Sequence, residues 1–161
     1  MKLELKNIKH TEWASEETHC YQASLYVDGK PVAIVSNDGH GGSDRDYAHP
    51  KFKGDYRAKM TEVHDSFKSL PPSPFSYEGA DGVLIRSCLP PTLEAWSCDA
   101  VNDWLSARDL KKNLKKQFLF QFADNDVVFA LKTRPSRAAG VTVILNDLPF
   151  EEALAIWKET V

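Results

Sequence analysis

The chain has 161 residues, 42% of them hydrophobic and 27% charged, with a formal net charge of −3. That length and composition suit one α+β domain over residues 1–161 with an ordinary packed core, and they exclude a chain disordered over most of its length. The small negative charge gives no global attraction to phosphate backbones or anionic membranes, so nucleic-acid binding requires a local basic stripe. The cysteines, Cys20, Cys88 and Cys98, are odd in number and form no C-x-x-C pair. This argues against a disulfide framework or a cysteine zinc site and for a reducing compartment. The chain opens without an apolar signal region, and no later run approaches the roughly 20 apolar residues of a membrane span. A cytoplasmic protein without a membrane partner is expected.

Lys2 to Lys6 alternates charged and apolar residues, the period of a strand with one buried face. Cys20 to Val27 is rich in strand formers, and Asp28-Gly29 before Val32 to Val35 has the chemistry of a tight hairpin, so an antiparallel β-meander is predicted at the N-terminus. Thr11 to Thr18 reads as a connection between strands. Tyr56, Met60, Val63, Phe67 and Leu70 recur at steps of three and four, which predicts a helix over 55–70 that Pro71-Pro72 ends. The span 69–82, with three prolines and two glycines, reads as a loop leading to a short strand over 83–88.

A helix is expected from Ser97 to Lys116, but its apolar face rotates. Val101, Trp104 and Leu105 point one way, while Leu110, Leu114 and Phe118 point nearly opposite when about 100° per residue is summed. Ser106 to Asp109 has capping-box spacing, which predicts a break near Ser106 and two short helices. Phe118, Phe120 and Phe122, the turn residues Asp124-Asn125-Asp126, and Val127 to Leu131 describe a second hairpin, and Val141 to Leu145 a further strand. Asn146 to Pro149 then offers a cap and an early-turn proline for a C-terminal amphipathic helix carrying Phe150, Ala153, Leu154, Trp157 and Val161, packed on the sheet.

The candidate site is the glycine-rich loop Ser36 to Asp44. Gly39, Gly41 and Gly42 allow positive φ and successive outward N–H groups, the form of a nest for phosphate. The loop lacks the lysine of a P-loop, and Asp38 and Asp44 repel an anion. Asp38, His40, Asp44, Asp46 and His49 are donors of the kind that suit a divalent metal or general-base chemistry, without the spacing of a metal motif. Asn37, Asp38, Gly39, His40, Gly41, Gly42 and Asp44 are therefore read as a ligand- or partner-binding loop, with no catalytic residue, metal or cofactor assigned. His10 and His19 bracket the 11–18 connection and read as strand-end histidines, and the cysteines as small apolar groups. Arg108, Lys111, Lys112, Lys115 and Lys116 fall within about 140° of one helix face, a stripe suited to nucleic acid or an acidic partner.

The segments Ala14-Ser15-Glu16-Glu17-Thr18, Tyr26-Val27-Asp28-Gly29-Lys30, Ser36 to Gly42 and Leu148-Pro149-Phe150-Glu151-Glu152-Ala153-Leu154 resemble landmarks of small proteins encoded by tailed bacteriophages and prophages. The resemblance spans both ends of the chain and implies a phage-borne origin and an intracellular setting, not a reaction. Three functions follow. The leading one is a non-enzymatic accessory protein that binds a host or defence-system protein, with counter-defence inhibition as its sharpest form. The others are a nucleotide- or phosphate-ligand protein, or phosphoester-acting one, centred on Asn37 to Gly42, and a nucleic-acid accessory protein using Arg108 to Lys116.

Overall fold

A computed structural model describes residues 1–78, 82–123, 125–136 and 140–160. The expected turn residue Asp124, the helix residue Val161 and part of the 69–82 loop lie outside these. The protein is α+β, with three helices and nine strands in antiparallel sheets among the described residues. Its backbone divides into two compact units, Met1–Val101 and Asn102–Val161.

The first unit is built on a four-stranded meander in the order β1-β2-β3-β4: β1 Leu3–His10, β2 Cys20–Val27, β3 Lys30–Asp38 and β4 Arg45–Ala48. Asp28 and Gly29 both take positive φ, +48° and +79°. That is the primed turn whose twist matches the flanking strands, as the Asp-Gly pair predicts. Alternation along β2 buries Tyr21, Ala23, Leu25 and Val27, and along β3 it buries Ala33, Val35 and Asn37. Helix α1, Tyr56–Lys68, is capped by Asp55, whose carboxylate accepts from the Ala58 N–H at 3.1 Å. It buries Met60, Val63 and Phe67, the stripe read from its sequence. β5 Ser73–Glu78 and β6 Leu84–Leu89 pair as a separate hairpin. The span expected to be a loop thus contains a strand, because Pro74 sits on a two-stranded sheet where a missing ladder donor is tolerated.

Helix α2 runs unbroken from Leu93 to Leu114. Its start is set by Thr92, whose hydroxyl accepts from the Ala95 N–H at 3.1 Å. The expected break at Ser106 is absent, since the helix runs straight through it. Leu93, Ser97 and Val101 are buried along it, and Leu110 packs with Leu119, Leu145 and Ala153.

The second unit holds a three-stranded sheet in the order β8-β7-β9: β7 Phe118–Phe122, β8 Asn125–Leu131 and β9 Val141–Ile144. Helix α3, Phe150–Thr160, packs Ala153 with Leu110, Leu119 and Leu145, flanked by Leu154 and Trp157. Asn146, expected as a cap, does something else. Its amide N–H₂ donates to the carbonyls of Leu114 and Gln117, both at 3.1 Å, and its oxygen accepts from the Leu119 N–H at 2.9 Å. One side chain thereby closes the end of α2 onto the start of β7.

Candidate functional site

Asn37 continues the inward alternation of β3, so an amide occupies a place the strand period assigns to the core. A buried amide must be satisfied. Asn37 is 8% exposed and makes four bonds. Its oxygen accepts from the Thr18 hydroxyl at 2.8 Å and the Gly39 N–H at 2.9 Å, and its N–H₂ donates to the Gly42 carbonyl at 2.8 Å and to Asp44 Oδ1 at 3.0 Å. The loop is folded around this side chain. Gly39, at φ +89°, then brings its carbonyl to the 11–18 segment, where it accepts from the N–H groups of Glu16, Glu17 and Thr18 at 3.0, 3.0 and 3.3 Å. A Cβ on Gly39 would lie 2.0 Å from the Ala14 carbonyl oxygen, so only glycine fits.

The N–H groups expected to form a phosphate nest point inward. That of Gly39 is held by Asn37, and that of Gly41 donates to the Thr18 hydroxyl at 3.3 Å. Gly42 does not take positive φ and has open space at its Cβ position. The five candidate metal or acid–base side chains go to five different partners. Asp38 pairs with Arg45 at 3.1 Å, His40 with Glu16 at 3.2 Å, and Asp44 accepts from the Tyr21 hydroxyl at 2.5 Å. Asp46 accepts from the Tyr56 hydroxyl, and His49 Nδ1 accepts from the Lys51 N–H at 3.1 Å. Among the described residues no three such groups converge as a metal site.

Tyr21 anchors the inner side of the loop. Burial first, then its hydrogen bond to Asp44, pushes the phenol well above its ordinary range, while the Ser97 hydroxyl acts in the opposite sense. Tyr56 is raised in the same way, by burial and by Asp46. Both are phenols held neutral as donors, not bases.

Across the clamp lies the segment the sequence marks only as a connection. Glu12–Ala14 forms a short 3-10 turn. Ser15 ties it down: its hydroxyl donates to the Thr11 carbonyl at 2.9 Å and accepts from the Cys20 N–H at 2.9 Å. With its proton on that carbonyl, Ser15 receives a hydrogen bond from His10 Nε2 at 3.2 Å, a tautomer assigned from the network. This Ser–His contact is therefore a structural brace and not an activated nucleophile. The His10 and His19 rings meet edge to face at 5.4 Å. They help line an open groove of about 430 Å³ with Glu12, Glu16 and Glu17. Next to Glu12 in the chain, Trp13 stands 88% exposed.

Comparison with protein-family models, with curated proteins and with solved structures yields no match. Function therefore has to be argued from this chain's own residues.

The basic stripe is partly rearranged from its expected form. Lys111 and Lys112 occupy the last turn of α2, but Lys115 and Lys116 lie beyond its end at Leu114. Arg108 is half-buried, stacked 5.2 Å from the Trp104 ring and paired with Asp109, and Lys111 sits 4.8 Å over Phe150. Lysines at a helix C-terminus also complement its dipole, a structural role that needs no ligand. Among the described residues no helix is long and apolar enough to cross a membrane.

Trp13 and the groove were hidden in the sequence because each signal is short. A lone Trp in a polar connection carries no period that marks it as exposed. The one legible clue was the register of β3, which points Asn37 inward.

Proposed function

We propose that this chain is an accessory protein of phage origin that acts in the cytoplasm of an infected cell by binding a host or defence-system protein, as a non-enzymatic inhibitor of that target. The observation that carries this reading is Trp13, almost wholly exposed on a short turn whose following residues, Glu16, Glu17 and Thr18, are held by three backbone bonds to the Gly39 carbonyl. Tryptophan is among the residues enriched at binding hot spots, where truncating such a side chain to alanine costs about 2 kcal/mol or more. A turn already fixed in place loses little freedom on binding, so more of that contribution survives as affinity. The resemblance of the 14–18 and 36–42 segments to phage and prophage proteins supports the setting, and both segments belong to this clamp.

The test is affinity capture from phage-infected cells with the tagged wild-type chain and with Trp13→Ala. The wild type is expected to retain a stoichiometric protein that Trp13→Ala loses while its melting temperature stays unchanged. Recovery of the same protein at the same yield by both chains overturns the reading.

A further inference from the structure

The groove lined by Glu12, the residue before Trp13 in the chain, defines the chemistry that this surface accepts. Three carboxylates, Glu12, Glu16 and Glu17, line it, with no Lys or Arg among its lining residues. All three are exposed, and so is the indole. Glu16 has the His40 imidazole as its neighbour at 3.2 Å, whereas Asp38 on the nearby loop is already matched by Arg45. The uncompensated negative charge therefore collects on the Trp13 side of the clamp. An aromatic face attracts a cation placed over it, and the attraction grows when the cation loses water. A guanidinium answers both features, since it stacks flat on an indole while its fork of N–H donors reaches carboxylates.

We infer that the partner presents an arginine-bearing segment to this surface, one guanidinium covering Trp13 and held by Glu12, with the chain continuing along the groove past Glu16 and Glu17. This rests on the reading of Trp13 as the docking residue and adds the charge and side-chain type of what docks. A protein segment is favoured over a small cation because the groove is open and its carboxylates come from separate positions along the 12–17 segment. Neutral apolar partners leave three glutamates facing a desolvated surface, which disfavours them.

The probe is a capped tetra-arginine peptide, titrated into the isotope-labelled full chain and followed at the Trp13 indole N–H, with tetra-lysine and tetra-glutamate as comparison peptides. Tetra-arginine is expected to shift the Trp13 signal to saturation, more tightly than tetra-lysine, and tetra-glutamate to leave it in place. Trp13→Ala is expected to weaken tetra-arginine binding about tenfold, and Glu12→Gln with Glu16→Gln and Glu17→Gln about as much. Glu151→Gln with Glu152→Gln, which removes the same kind of charge from α3, is expected to change it less than about twofold. Equal weakening by the α3 variant, or saturation without movement of the Trp13 signal, overturns the inference. The two readings fail separately: a captured protein that depends on Trp13 but binds the triple glutamine variant equally well contradicts the arginine chemistry and leaves Trp13 docking standing.

Discussion

Two loops at one end of the meander have exchanged the roles their residues advertise. The 36–44 loop carries the glycines, carboxylates, imidazole and amide of an active site, yet its polar groups are bonded inward or to one neighbour each. The 11–18 segment carries no glycine, imidazole or side-chain amide, and it holds Trp13 and the carboxylates of Glu12, Glu16 and Glu17 out to solvent. The difference teaches that residue type shows what a loop is able to do, while hydrogen-bond direction shows what it does. Here the richer loop is the clamp and the plainer one is the surface it presents.

The most damaging change is expected at Gly39. Gly39→Ala drives a methyl group to 2.0 Å from the Ala14 carbonyl oxygen at a positive φ, and the backbone on both sides must move. A loss of about 4 kcal/mol is expected in urea unfolding, from left-handed strain plus overpacking. Gly42→Ala, with open space and no positive φ, serves as the contrast and should cost less than about 1 kcal/mol. Asn37→Ala comes next. It removes four bonds and strands buried partners, which should cost about 3 kcal/mol in the same assay.

Tyr21 sharpens the comparison through pH. Its folded-state pKa lies above that of an unfolded tyrosine, about 10. Its contribution is thus fully present below that value. It is lost as pH climbs above about 10, where the unfolded chain releases a proton that the folded one keeps. In an alkaline absorbance titration, Tyr21 and Tyr56 should ionise only as the protein unfolds. Tyr21→Phe should remove one late-ionising group from that titration and cost about 1 to 2 kcal/mol. The smallest effect is expected where the sequence points most strongly: Asp38→Ala with His40→Ala breaks only two exposed pairs and should change stability by no more than about 0.5 kcal/mol.

Much of the fold was legible because it rests on local rules. Asp28-Gly29 demands its hairpin, the α1 stripe its helix, and the alternating phenylalanines of β7 their strand. Three features depended on other parts of the chain. Pro74 looks like a loop residue until a two-stranded partner is supplied, and the rotating face of α2 looks like a break although the helix runs through it. Asn146 has the identity of a cap, but its three bonds run to residues 27 to 32 positions away. Asn37 repeats that pattern in the first unit. In both, an asparagine at or just past the end of a strand uses both ends of its amide and reaches a distant segment, Asn37 through its oxygen to Thr18, while the sequence shows only a turn residue.

Backbone amide exchange at Glu16, Glu17 and Thr18, measured in the wild type and in Asn37→Ala, tests most directly whether the glycine loop exists to hold the Trp13 turn. These three N–H groups are predicted to be protected in the wild type and to exchange freely in the variant, while the β2–β3 ladder amides of Leu25 and Ala33 stay protected in both. Free exchange of the three amides in the wild type, or protection that survives in a folded Asn37→Ala chain, would contradict it.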